Sequence, residues 1–561
     1  MSRKLAMYDV RGIQDYIYKT AKVQDAIGAS AIVEDIISEA LKDAVEKEEL
    51  SYDLEWYDEN GVLPYDVSKA SDTDVQVLYI GGGNAFVSFK DEDICQRVNH
   101  RMSRYVLEKT YSLQLAIAVT DQTENYAKDY KNIFDEMVRV KANMEVSKPF
   151  GALPVMDVEI KTGLPACPVE KKDGDWVIGT SRETYLKKTK EDLVREDLIQ
   201  RAKIFDNYAE SKGVDSTLAV VHIDGNNMGL RIRKLIDGIE DYGEAVNKMR
   251  EISYCINHSY KSVYEQMENH FNGYAGKGDG KKKQYNVLKI LTAGDDITYV
   301  CKGKYALSTV EYFCKEIGEL TMNGGTNEKD INLYGFSVCA GVAYIGSHFP
   351  FSVGYEVAEA CCDSAKDMAK KPENMLPVDK EGNPITNMDG VAKSGVSYKI
   401  GNWVDFQICK NIHTGDLDKT RKLEYVTSHN EKLLIRPYEL PLLNLKSREG
   451  AINRYEDEDP KKNIQYKYKS LKNNIRYFQD DKNIPHSHAK KLRNLYSSGQ
   501  EVVNEFAAFL ASRGWKMPDG TVDMYTEDNQ ALWYDALELF DCFEEVNVEK
   551  IQKEETGHGD L

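Results

Sequence analysis

Lys289-Ile-Leu-Thr-Ala-Gly294-Asp295-Asp296-Ile-Thr-Tyr-Val-Cys301 is the stretch on which the reading of this chain turns. Ile290 to Thr292 and Ile297 to Val300 are β-rich runs on either side of Ala293-Gly294-Asp295-Asp296, so the spacing predicts a hairpin with two adjacent carboxylates at its tight turn. Adjacent carboxylates repel unless a cation sits beside them, and a hard divalent ion such as Mg2+ prefers oxygen ligands of this kind. A third carboxylate is expected from Thr217 to Gly229. There the apolar run Leu218 to Ile223 ends in Asp224, and Gly225-Asn226-Asn227-Met228-Gly229 turns into the periodic segment Leu230 to Ile239. A strand ending in Asp, a glycine-bearing turn and a helix N-terminus together suit a metal with a phosphate, because free N–H groups and the helix dipole favour anions. Taken singly, Asp224 also reads as a helix cap and Asp295-Asp296 as a polar turn.

Strand-Asp224-Gly-Asn-Asn-Met-Gly followed by Ala-Gly-Asp295-Asp296 resembles the palm domain of the large polymerase-cyclase subunit of type III CRISPR effector complexes, a relative of GGDEF-type nucleotidyl cyclases. That family's hairpin normally begins with Gly-Gly, where this chain has Ala293-Gly294. Two further signatures, Gly12-Ile-Gln14 and Gly28-Ala-Ser30, resemble the start of the family's first palm.

The catalytic pair of motifs is foreshadowed earlier in the chain. A strand through Asp9 leads to Gly12, and Val77 to Phe89 is again strand, Gly81-Gly82-Gly83-Asn84 turn, strand. Asp9 and Gly83 lie 74 residues apart, Asp224 and Asp295 71 apart. In both halves an amphipathic helix and a strand follow: Glu92 to Leu107 and Leu113 to Val119, then Lys304 to Leu320 and Tyr334 to Ala343. The expectation is an α+β fold with two ferredoxin-like palms, the first lacking hairpin carboxylates and closing the far side of a nucleotide pocket.

The expected domains are a first palm over 1–165, a charged helical connector over 166–215 whose residues 180–212 read as a solvated linking helix, a catalytic palm over 216–400 and a mostly helical domain over 401–561. Val404 to Cys409 reads as an edge strand or a helix start, and Leu433 to Leu440 resembles the family's Arg-Pro-Tyr element. His486 and His488 read as loop residues. The helix Tyr355 to Lys371 carries Lys366 and Lys370 one turn apart. By the resemblance Lys366 contacts a triphosphate, against the plainer reading of a surface lysine.

Composition sets the frame. In 561 residues the formal charge is −19, which argues against a broadly basic nucleic-acid groove. Lys277 to Lys283, with four lysines, reads as a solvated loop. Ten cysteines occur with no Cys-x-x-Cys pair, so neither a disulfide framework nor the family's zinc ribbon is expected, and a reduced cytoplasm fits. No apolar run approaches the 18 residues of a membrane span. No His-Asp dipeptide occurs, so the family's HD nuclease domain is not expected.

The resemblance implies a pyrophosphate-releasing nucleotidyltransferase that makes a cyclic oligoadenylate or cyclic dinucleotide from ATP in antiviral signalling. Asp224, Asp295 and Asp296 would hold Mg2+ or Mn2+, while Gly225, Asn226, Asn227, Gly294, Lys366 and Lys370 would line the nucleotide. RNA or other CRISPR effector subunits would act as activator, and a cyclic-nucleotide-sensing effector would act downstream. A stand-alone or homo-oligomeric synthase is equally compatible. The alternatives are a non-catalytic scaffold of an RNA-guided complex and a guanylate or mononucleotide cyclase.

Overall fold

The computed structural model describes residues 3–19, 23–81, 83–144, 153–170, 176–194, 217–274, 286–323, 336–347, 349–378, 397–410, 416–440, 467–518, 520 and 523–546. Gly82 and the Lys277 to Lys283 run fall outside the described residues.

The N-terminal palm is built from β1 (Lys4–Arg11), α1 (Ile13–Tyr18), α2 (Val23–Lys47), β2 (Val75–Gly81), β3 (Asn84–Phe89), α3 (Glu92–Thr110), β4 (Gln114–Asp121) and α4 (Tyr126–Asn143). Its sheet runs β2-β3-β1-β4, with the two-residue strand Tyr52–Asp53 beside β2. β1 is antiparallel to both β3 and β4, which is the ferredoxin-like order.

After α5 (Arg182–Val194) the same plan repeats: β5 (Thr217–Gly225), α6 (Met228–Ile236), α7 (Tyr242–Tyr274), β6 (Val287–Ala293), β7 (Asp296–Lys302), α8 (Ala306–Asn323), β8 (Val338–Gly346) and α9 (Phe351–Ala369). The second sheet runs β6-β7-β5-β8 and continues through β9 (Asn402–Ile408) and β10 (Tyr438–Leu440). β9 is parallel to β8, as a crossover through α9 requires, and β10 is antiparallel to β9. The sequence boundary at 400 therefore cuts a sheet: Val404 to Ile408 is a strand, and it stands inside the second palm. Strand β5 is central and Leu218 to Ile223 is buried throughout, which explains a continuous apolar run in place of alternation.

The palms exchange their long helices. α2 packs on β6 of the second palm, and α7 packs on β2 of the first. Arg250 of α7 is 2% exposed and donates to three first-palm carbonyls, Leu78 O at 2.6 Å, Val77 O at 2.7 Å and Leu63 O at 2.8 Å. Gly81 lies so close to α7 that a Cβ there would collide with Ser253 Oγ.

Helix α5 of the connector is held against the first palm on one side, while Arg182 at its start is exposed. Glu183 and Lys187 of α5 are fully buried, and the Lys187 ammonium donates to Tyr16 O and Glu183 Oε1, each at 2.7 Å. One pair of those charges, Glu183 and Lys187, is internal and clamps α5 to the first palm.

Beyond the sheet come α10 (Leu417–Glu424), α11 (Tyr468–Gln479), α12 (His486–Leu495), α13 (Gln500–Ser512) and α14 (Tyr534–Leu539). His486 and His488 belong to α12, not to a loop. His488 packs against Trp515 with ring centroids 4.9 Å apart. The Arg-Pro-Tyr element joins this helical unit to the palm. Arg436 lies over the Phe406 ring and donates to Glu538 Oε2 at 3.1 Å, while the Tyr438 hydroxyl donates to Asp535 Oδ2 at 2.9 Å.

Candidate active site

Strand register brings the acidic residues together. Ile223 pairs with Ile297, so the next step along the two strands sets Asp224 beside Asp296 at the end of the sheet. Ala293 closes the hairpin opposite Asp296, leaving Gly294-Asp295 as the two-residue turn. The positive φ of 66° falls on Gly294, whereas Ala293 stays in the strand region, so alanine in place of the family's first glycine costs the turn nothing.

Gly225 is the other fixed requirement. A Cβ there would stand 2.7 Å from the Tyr260 hydroxyl and 2.8 Å from Asp295 Oδ2. Only a bare backbone lets β5 pass beneath the acidic turn. The Tyr260 hydroxyl is buried and has no hydrogen-bond partner among the described residues.

Electrostatics follow from crowding. Burial first, and then the Asp224 charge, push Asp295 up to about 6. Burial and the charges of Asp224, Asp295 and Glu359 hold Asp296 well above the usual carboxylate range. Asp296 Oδ1 is buried 3.4 Å from His222 Nδ1, without a hydrogen-bond partner among the described residues. His222 is itself pushed down to about 4 by burial and by Lys366, so at neutral pH its ring offers no countercharge. It bonds Thr298 Oγ1 at 3.1 Å and meets Tyr355 edge-on.

Lys366 is the cation at the site. From α9 its ammonium donates to Asp224 Oδ2 at 2.5 Å and lies 3.5 Å from Asp363 Oδ1. Burial opposes this charge, but Cys362 and the bond to Asp224 outweigh it and hold the ammonium above the ordinary lysine value. Lys370 caps the C-terminus of α9 and is exposed, one turn beyond.

The two asparagines part company. Asn226 is 4% exposed; its backbone N–H donates to Ser337 O at 2.9 Å, and its side chain donates to Ser337 Oγ and Gly401 O. Both side-chain donors are engaged within the protein, so Asn226 anchors the turn. Asn227 is exposed in the left-handed region at the start of α6, and its side chain makes no capping hydrogen bond among the described residues.

The sequence missed what the first palm adds. Gln14 Nε2 donates to Glu359 Oε1 at 2.5 Å, and Tyr18 stacks on Tyr355 with centroids 3.5 Å apart. The Gly12-Ile-Gln14 motif thus places its helix α1 against α9 beside Asp296. The glycine hairpin of the first palm lies against α7 at Ser253.

The donor set suits a hard divalent cation: oxygen ligands only, an orphaned buried oxygen on Asp296, and raised proton affinity on two carboxylates. As they stand, no three His, Cys, Asp or Glu side chains among the described residues close into a metal cluster, and Asp224 is engaged by Lys366. Among the described residues no helix is long and apolar enough to cross a membrane.

Residues 217–375 match the family model for the second palm domain of Cas10/Cmr2. Solved structures with similarity include a Csm1-Csm4 cassette in complex with cA4, 13% identical over 68% of this chain and 55% of that one, with a TM-score of 0.39. A Csm1-Csm4 cassette in complex with pppApA is 14% identical over 96% and 69%, with a TM-score of 0.45. Csm1 in T.onnurineus is 14% identical over 67% and 52%, with a TM-score of 0.39. The chain thus spans about half the length of the first and last of these. No curated protein matches.

Proposed function

We propose, from the match of residues 217–375 to the family model for the second palm domain of Cas10/Cmr2, that the chain is a metal-dependent nucleotidyltransferase that joins ATP into a cyclic oligoadenylate or cyclic dinucleotide with release of pyrophosphate. The observation that carries this reading is the convergence of Asp224, Asp295 and Asp296 at one sheet end with Lys366 and the uncapped start of α6. A scaffold would have no use for buried carboxylates whose charges raise one another's proton affinity.

Asp224, Asp295 and Asp296 would hold Mg2+ or Mn2+. Bound there, the ion supplies Lewis-acid polarisation of an α-phosphate and a lowered pKa for an attacking ribose hydroxyl. The chain's own residues do the rest. The backbone N–H groups at the start of α6, next to Asn227, favour phosphate oxygens. Lys366 carries positive charge to the triphosphate as charge builds on the leaving pyrophosphate, with Lys370 one turn further out. Gly225 keeps the Asp295 turn close to β5, and the α1–α9 contact places the first palm against the site. RNA and other effector subunits are the proposed activators.

The test is to incubate the purified protein with Mg2+ and each nucleoside triphosphate, alone and mixed, with and without RNA. Products are read by mass spectrometry beside Asp295→Ala, Asp296→Ala. An adenylate product made only by the intact protein supports the proposal, and a guanylate product moves it to another base. Absence of product under every condition, with RNA and the other effector subunits included, overturns it.

A further inference from the structure

The duplication extends to a pair of residues the hairpins do not reveal. In the first palm Asp9 pairs in register with Asn84, as Asp224 stands beside Asp296 in the second. The Lys141 ammonium, from the helix that follows β4, donates to Asp9 Oδ2 at 2.5 Å. Lys366, from the helix that follows β8, donates to Asp224 Oδ2 at the same 2.5 Å. Each palm thus has one lysine on one strand-end aspartate, held by equivalent helices.

The surroundings differ. In the first palm Gly83 and Asn84 replace the hairpin carboxylates, so the Asp9–Lys141 pair is neutral by itself. The Lys141 backbone is held as well, its carbonyl accepting from the Arg11 guanidinium at 3.2 Å. In the second palm Lys366 neutralises one of three carboxylates, and the charge capacity of two remains. Lys366 also has a second acceptor: Asp363, one turn back on α9, is 3.5 Å away and 68% exposed. A lysine ammonium on a four-carbon stem exchanges such partners readily.

We propose that Lys366 is a placeholder cation, occupying Asp224 in the metal-free protein and released toward Asp363 and the incoming phosphates when a divalent ion takes the three carboxylates. This accounts for the open ligand set, because Lys366 holds Asp224 Oδ2 and its positive charge opposes a divalent ion beside the same carboxylate. Lys141 faces no such competition and stays on Asp9 throughout. The inference rests on the metal reading of Asp224, Asp295 and Asp296.

The test uses the full chain and divalent metal alone. Lysine reactivity toward an acetylating reagent is read residue by residue by mass spectrometry, with and without MgCl2. Mn2+ binding is followed in parallel by electron paramagnetic resonance for wild type, Lys366→Met and Asp295→Ala, Asp296→Ala. The expected result is a severalfold rise in Lys366 reactivity on adding metal, no change at Lys141, and about tenfold tighter Mn2+ binding by Lys366→Met. Saturable Mn2+ binding with Lys366 reactivity unchanged, or with Lys366→Met no tighter than wild type, overturns this inference and leaves the metal site standing. No saturable binding by wild type or Lys366→Met overturns both.

Discussion

Gly225→Ala is the most direct probe of the acidic turn, because one added methyl lands in a defined place. Its carbon would lie 2.7 Å from the Tyr260 hydroxyl, 2.8 Å from Asp295 Oδ2 and 2.9 Å from Asp295 Cβ, where ordinary contact begins near 3.4 Å. The Asp295 carboxylate can rotate, but its Cβ is carried by the backbone of a two-residue turn, and Tyr260 is fully buried. Relief therefore requires the turn to move by about half an ångström, at roughly 1–3 kcal/mol for overpacking. If Asp295 holds a metal as proposed, displacement of its carboxylate by that amount approaches the 1 Å misplacement that costs about 100-fold in rate. The expected outcome is a loss of about 10–100-fold in product formation, with weaker Mn2+ binding and a Tm lowered by a few degrees. Gly273→Ala is the matched control: it sits in α7, where an added Cβ meets nothing within 4 Å, so its stability should be unchanged or slightly higher. Product formation and Mn2+ affinity of Gly225→Ala within twofold of wild type would refute the argument that Gly225 sets the Asp295 turn.

Proton competition gives a second expectation. With Asp295 raised to about 6, metal binding must expel its proton below that pH. Apparent Mn2+ affinity should fall about tenfold per pH unit for each proton displaced, and a pH-independent affinity between 5 and 7.5 would contradict it. Metal-free stability runs the other way. The folded state binds this proton more tightly than the unfolded chain, whose Asp titrates near about 3.9, so the contribution is full below about pH 4 and is lost as pH rises through 6. Denaturant melts across that window check the sign. Gly81→Ala should loosen the palm–palm contact through its collision with Ser253 Oγ. Ser253→Ala in the same chain should restore the Tm, because the remaining Ser253 Cβ lies at an ordinary 3.4 Å; a double variant no more stable than Gly81→Ala would exclude that collision as the cause. Asp535→Ala should cost about 3–5 kcal/mol, because it strips one partner from the fully buried Arg436 and an acceptor from the Ile435 and Arg436 amides. Urea unfolding measures it, and a cost under about 1 kcal/mol would show that Glu538 alone satisfies the arginine.

What the sequence by itself determined was local in origin. β-rich and continuous apolar runs marked β1, β5 and the two hairpins, glycines marked their turns, and the near-equal spacings from Asp9 to Gly83 and from Asp224 to Asp295 revealed the duplication. Adjacent carboxylates at a turn are chemically conspicuous in any fold, so Asp295 and Asp296 were legible, and Asp224 with them as the end of a buried strand. Tertiary structure decided what depends on partners far along the chain. Lys366 meets Asp224 across 142 positions, and Lys141 meets Asp9 across 132. Asn226 looks like a phosphate contact until Ser337 and Gly401 take its donors, and Lys187 looks solvated until Glu183 and Tyr16 enclose it. The second sheet gains β9 and β10 only because α9 returns the chain alongside β8. Periodicity is written in neighbouring residues and survives without a fold. Which charge neutralises which, and which glycine must stay bare, is set by packing distances of a few ångströms between segments that composition and spacing treat as unrelated.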